Sequence, residues 1–187
     1  LIETGVVGAS IDEEFGGAGL GFLSVTAVLE LIGEFAAPVP MIETIVMGAL
    51  PIQEFGSAKQ KADLLPKIVS GELLVTAALV SDKTVTASDG RLTGSVDLVP
   101  YGLETDVVLI PTDDGVYLVN SSRSGVSLVP RETTTGQLQA GGAFEGVEAE
   151  RLGLASTDEI IAWMRLRVDS GICSVLSGAC KASLDLA

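Results

Sequence analysis

The stretch from Leu73 to Pro111, LLVTAALVSDKTVTASDGRLTGSVDLVPYGLETDVVLIP, constrains the fold of this chain most. Short β-branched runs recur through it, and Asp, Gly and Pro punctuate them, which is the signature of strands joined by tight turns. The pattern predicts a strand over Leu73 to Val80, a short strand before a Ser88-Asp89-Gly90 turn, a strand from Arg91 to Val99 and another from Thr105 to Ile110. On both sides the periodicity turns helical, so the β segment is wedged between two helical regions. With 187 residues, 47% of them hydrophobic, the chain can bury a real core in one sizeable domain or two small ones.

Upstream, IDEEFGGAGLG ends in a cluster of Gly16, Gly17, Gly19 and Gly21. These glycines do not complete G-x-G-x-x-G, and no strand-to-helix unit surrounds them, so the cluster reads as a tight entry into a helix and not as a dinucleotide loop. From Phe22 to Phe35, Val25, Val28, Leu29 and Ile32 follow the i, i+3, i+4, i+7 spacing of an amphipathic helix. A second helix covers Met41 to Phe55 with a kink expected at Pro51. Ser57-x-x-Gln60 is a capping box that opens a third, from about Ala58 to Val69, disturbed at Pro66.

Downstream, Thr112-Asp113-Asp114-Gly115 is a turn rather than a calcium loop, because no further carboxylates follow at EF-hand spacing. Val116 to Asn120, Gly125 to Val129 and Ala143 to Leu152 complete the strands. Ser156-x-x-Glu159, a second capping box, starts a helix from Thr157 that would be about 45 Å long at 1.5 Å per residue. Its apolar face (Ile161, Met164, Val168, Ile172, Val175, Ala179) calls for partner helices beyond those the chain supplies, and hence for a dimer or tetramer joined through helical bundles. Trp163 falls at core or interface spacing with Ile160 and Met164.

Chemistry is bounded by what is missing. With no histidine, His metal sites and Ser-His or Cys-His nucleophile pairs are excluded, leaving carboxylates, backbone groups or a cofactor. No metal site is expected. Cys173 and Cys180 lie about 10 Å apart along a helix, too far to bridge, so they are expected to pack as small apolar residues in a reducing cytoplasm. A net charge of −14 argues against nucleic acid and anionic membrane as partners. Neither a membrane span nor a signal peptide is expected, and the start without Met suggests missing flanking sequence.

Several motifs share an order and spacing. IDEEFGGAGLG, LELIGEFAAPVP and EFGSAKQKADLLPKIVSGELLVTAAL resemble the P-E-E-Y-G-G loop, the E-E-L-G-x-x-x-A-P helix and the G-S-x-x-Q-K-x-x-x-L-P-x-I-x-x-G-E segment of the acyl-CoA dehydrogenases. RLTGSVDLVPYGLETDVVLIP looks like that family's flavin-side strand pair, and EGVEAERLG like its exit from the β domain. The resemblance implies an α+β fold: a helical domain over 1–72, a central antiparallel β-barrel-like domain over 73–155, and over 156–187 the first helix of a C-terminal four-helix bundle.

It also implies a function. Family members use FAD to remove the α and β hydrogens of an acyl-CoA thioester, a glutamate taking the α proton while the flavin accepts the β hydride. The cofactor-binding positions carried over are Leu79, Val80 and Ser81 on one segment and Leu98, Val99 and Pro100 on the other. Here Val80 stands where the family has a threonine, Leu98-Val99-Pro100 replaces an aromatic-Ile-Thr, and a G-S-D loop is deleted. Such losses resemble the heteromeric, steroid-type branch of the family, so FAD is expected to require a partner subunit. In most relatives the glutamate lies beyond Ala187; in a minority it sits at about Val168, where the nearest acid is Asp169. One residue of offset turns that side chain by about 100°, toward solvent. Three roles stay open: a catalytic protomer, a flavin-poor subunit of a homo- or hetero-oligomer acting on acyl-CoA with electron-transfer flavoprotein as acceptor, or an unrelated acidic binding module.

Overall fold

A computed structural model describes residues 5–79, 85–134 and 136–187. The glycine-rich entry is bent as expected: Gly16, Gly19 and Gly21 have φ of 86°, 64° and 70°, and a Cβ on Gly17 would run into the carbonyl of Ile11. Helix α1 (Phe22–Glu34) buries Val25, Leu29 and Gly33.

The next helix departs from expectation. Ile42–Ala49 is a π-helix that passes directly into α2 (Leu50–Phe55). Leu50 N–H donates to Ile45 O, one residue further back than in an α-helix. Pro51, at the first turn of α2, has no N–H, so the ladder changes register beside it without orphaning a donor.

Helix α3 (Ala58–Ser70) opens on the expected capping box, with Ser57 Oγ accepting from Gln60 N–H at 3.2 Å and Gln60 Oε1 from Ser57 N–H at 2.9 Å. It continues through Pro66 rather than breaking there. Pro66 and Ala62 lie on the exposed side, so the carbonyl freed by the missing N–H is turned to water.

The β region forms two four-stranded sheets. One has the order β1-β4-β5-β8 and the other β2-β3-β7-β6. Strands β1 (Val75–Ala77), β4 (Val107–Pro111), β5 (Val116–Asn120) and β8 (Glu150–Arg151) build the first; β2 (Thr86–Ser88), β3 (Arg91–Pro100), β6 (Val126–Arg131) and β7 (Gln139–Glu148) build the second. The second sheet is antiparallel throughout, but β1 pairs with β4 in parallel. A parallel neighbour needs a crossover, and the chain makes it by visiting the other sheet between β1 and β4.

Alternation along β4 and β5 explains their unbroken apolar runs. Val107, Leu109, Val116 and Leu118 face a core shared with the helices, whereas Val108, Ile110, Tyr117 and Val119 face the core between the sheets. Burial on both faces removes the polar partner that a half-exposed strand alternates with.

Helix α4 (Thr157–Asp185) is capped by Ser156 Oγ, which accepts from Glu159 N–H at 3.3 Å; the serine half of the expected box is the part recorded. The helix has an in-chain partner after all. It packs along α1, burying Ile160, Met164, Gly171 and Gly178. Glycines make this possible: a Cβ on Gly178 would meet Glu30 O, and one on Gly33 would meet Val175 O. Backbone touches backbone where a count of large apolar residues saw no contact. The two cysteines correct another expectation, since both are exposed and free on the opposite face.

Candidate functional site

The carried-over cofactor positions divide three ways. Leu79, Leu98 and Pro100 come together with Met47 and Gln139 around a cavity of about 170 Å³. Val99 points away, fully buried between the sheets. Val80 and Ser81 lie outside the described residues.

This division follows from a bulge. Val96 pairs with Gly142 but Val99 with Ala140, so Asp97 and Leu98 together oppose Gly141. A β-bulge resets the alternation, leaving Val96 and Val99 inward and Leu98 outward. Register then sets Pro100 across from Gln139.

Donor chemistry decides whether an isoalloxazine fits. Met47, Leu79, Leu98 and Pro100 bring no polar side-chain donor, and Pro100 has no main-chain N–H. Gln139 Oε1 is buried without a partner and is an acceptor. The Gln139 amide Nε2 is the one side-chain donor the described wall brings, against the several acceptors and one N–H of a flavin ring edge. The cavity is also smaller than the roughly 300–1,000 Å³ typical of small-molecule sites. The described part of the wall thus offers a flavin edge few donors.

Asp169 is exposed on α4 and Val168 half-buried. Among the described residues no group of three or more His, Cys, Asp or Glu side chains could hold a metal ion. Trp163 packs edge-on against Phe55 at 5.3 Å, with the Arg167 guanidinium 3.5 Å from its ring centroid, a packing role as its spacing suggested.

A larger cavity, about 420 Å³, lies where α1, the π-helix, α4, Tyr101 and the 136–138 segment meet. Glu43 and Tyr101 line it. Burial pushes the Glu43 carboxyl above its ordinary range, opposed by a hydrogen bond from its own main-chain N–H. Burial, then the charge of Glu43, then that of Glu104 push the Tyr101 phenol up. Sequence reading missed both residues. The available signal was an acid alone among apolar residues in MIETIVMGAL.

Comparison with known proteins places this arrangement of helices over paired sheets. The description "Acyl-CoA dehydrogenase, N-terminal domain" matches residues 1–72. Acyl-CoA dehydrogenase FadE28 of Mycobacterium tuberculosis is 30% identical over 153 residues, 79% of this chain and 45% of FadE28. FadE27 of the same organism is 34% identical over 158 residues, 76% of this chain and 42% of FadE27. The chain therefore spans less than half the length of these curated relatives. Among solved structures, the ChsE4-ChsE5 complex from M. tuberculosis superposes with a TM-score of 0.89 at 28% identity, covering 100% of this chain and 54% of that one. The Tcur3481-Tcur3483 steroid ACAD G363A variant gives 0.87 at 29%, with the same coverage. The chain belongs to the acyl-CoA dehydrogenase family.

Proposed function

We propose that this chain is the flavin-poor subunit of a heteromeric acyl-CoA dehydrogenase, whose partner supplies the intact FAD site for α,β-dehydrogenation of an acyl-CoA thioester. The observation that carries this reading is a wall in which Leu79, Leu98 and Pro100 bring no polar side-chain donor to the edge of a flavin, leaving the Gln139 amide alone to do so. Each lost neutral hydrogen bond weakens binding by about 0.5–1.5 kcal/mol, so two lost together weaken it roughly ten- to a hundredfold. The exposed position of Asp169 leaves that wall without an acid from α4 to serve as base.

Support for a mixed assembly comes from the relatives: ChsE4-ChsE5 and Tcur3481-Tcur3483 are each named for two components, and the second is a steroid ACAD. A steroid or similarly bulky acyl-CoA is the substrate class, electron-transfer flavoprotein the acceptor and the cytoplasm the compartment. Among the described residues no helix is long and apolar enough to cross a membrane.

Isothermal titration with FAD tests the reading. Weak or undetectable binding by the purified full-length protein, with the 450 nm flavin band appearing after coexpression with a neighbouring relative, is expected. Submicromolar stoichiometric binding by the protein alone would overturn it in favour of a catalytic protomer.

A further inference from the structure

A cavity of about 510 Å³ opens at one end of the first sheet, where the chain crosses from β7 to β8. It shares no residue with the flavin-facing wall or with the cavity lined by Tyr101. Part of its lining is apolar: Val107 of β4 and Leu118 of β5 face the helices, and Leu64 of α3 and Ala149 join them. The volume lies within the range of small-molecule sites, which combine apolar walls with a few placed polar groups.

The polar groups around it are unevenly matched. Glu148 is met by two guanidiniums, Arg123 Nη1 at 2.8 Å and Arg91 Nη2 at 3.6 Å. Asp89 and Glu150 also line the cavity, and among the described residues neither has an ion pair. Register sets Glu150 beside the apolar lining, because it pairs with Leu118 and residues paired across a ladder share one face of the sheet. Its carboxylate is aimed by a buried group: Oε1 accepts from Nε2 of the buried Gln60 at 2.9 Å. Among the described residues nothing donates to its other oxygen.

The balance of charge selects the ligand. Asp89, Glu148 and Glu150 stand against Arg91 and Arg123, which leaves one negative charge over. An anion is disfavoured, since both guanidiniums are already engaged by Glu148. A metal ion is disfavoured too, because among the described residues no group of three or more His, Cys, Asp or Glu side chains could hold one. An organic ammonium meets both halves of the lining: an N–H donates to the free oxygen of Glu150, Asp89 attracts its charge, and its carbon body covers Leu64 and Leu118.

We propose that this cavity is a binding site for a small organic monocation with an apolar body, anchored by Glu150 and Asp89 and seated on Leu64 and Leu118. The site stands apart from the dehydrogenase chemistry proposed above, and its occupancy involves neither FAD nor acyl-CoA.

Calorimetric titration of the full-length protein with 2-phenylethylamine, and with 2-phenylethanol and 3-phenylpropionate as its neutral and anionic analogues, tests it directly. At low salt the amine is expected to bind about four- to twentyfold more tightly than the alcohol, each carboxylate contributing about two- to fivefold, and the preference is expected to shrink as salt is added. Ethylamine, which lacks the ring, is expected to bind about tenfold or more weakly than 2-phenylethylamine. Asp89→Asn combined with Glu150→Gln is expected to erase the preference for the amine, while Gln at 150 keeps an oxygen for Gln60. Glu13→Gln combined with Glu14→Gln removes the same charge from an exposed turn elsewhere and is expected to leave the preference unchanged. That comparison separates this site from a general attraction of cations to an acidic chain. No binding of the amine, equal affinities for amine and alcohol or for the two amines, or tighter binding of 3-phenylpropionate would overturn the proposal. So would a preference that survives the Asp89 and Glu150 changes, or one that falls equally with the Glu13 and Glu14 changes. Circular dichroism of both double variants separates loss of the site from loss of the fold.

Discussion

Glu43 is the single charge in MIETIVMGAL, and its cost is written into the pH dependence of folding. Below 4.5, the ordinary value, the carboxyl is protonated in folded and unfolded chains alike. As pH rises the unfolded chain loses the proton first, because burial raises the folded value. Stability falls until the folded value is passed and is then flat. Glu43→Gln has no proton to lose, so its melting temperature is expected to gain on wild type from pH 4 upward and to remain higher at pH 8. A wild type that melts above Glu43→Gln at pH 8 would show that Glu43 has a favourable partner when ionised. The sequence exposed the odd acid, but its meeting with Tyr101 depends on a turn more than fifty residues away. The same holds for Leu98 and Val99: the residue types mark a strand, whereas the bulge that sends them to opposite sides depends on Gly141 across the ladder.

Among the elements, α3 shows a local rule with a long-range consequence. Ser57→Ala removes an N-cap bond and is expected to cost about 1 kcal/mol. Gln60 does more than close the box: its Nε2 donates to Glu150 Oε1 at 2.9 Å and Arg151 O at 2.8 Å, tying the helix start to β8. Gln60→Ala leaves several groups unpaired in a buried place and is expected to cost about 2 kcal/mol or more. Urea unfolding of both variants measures the difference, and a Ser57→Ala cost equal to or above that of Gln60→Ala would contradict the tie. Capping was legible because it is local in sequence. The course of α3 through Pro66 and the π-helix before Pro51 were not, since each depends on which side of the helix meets water or core. Packing of α4 on α1 was hidden for another reason: glycine carries no hydrophobic signal, yet Gly33 and Gly178 permit the closest approach. Gly178→Ala would press a methyl into the Glu30 carbonyl and is expected to cost about 1–3 kcal/mol. A neutral Gly178→Ala, with the gain in helix propensity undiminished, would show that the helices sit further apart.

At the scale of the whole molecule, pairing α1 with α4 leaves the outer sides of both helices apolar. Leu23 on α1 and Phe35 just past its end are 80% and 75% exposed, and Leu166, Leu176 and Leu184 on α4 are 66%, 57% and 76% exposed. Scattered exposed leucines need no explanation, but stripes along two paired helices mark an association surface. The charge of −14 on these 187 residues acts against self-association, because like-charged surfaces repel. The balance depends on salt: at about 0.1 M the screening length is about 10 Å, and it shortens as salt is added, so the repulsion weakens while the apolar contact does not. The full-length protein is therefore expected to be a dimer or larger oligomer at micromolar concentration, with association strengthening from 0.05 to 0.5 M sodium chloride. Leu166→Asp combined with Leu176→Asp should dissociate it, whereas Lys59→Asp on the exposed side of α3 should weaken it far less. Light scattering across that salt series is the measurement. A stable monomer throughout, or association that weakens as salt rises, would rule out an apolar helical interface of this kind.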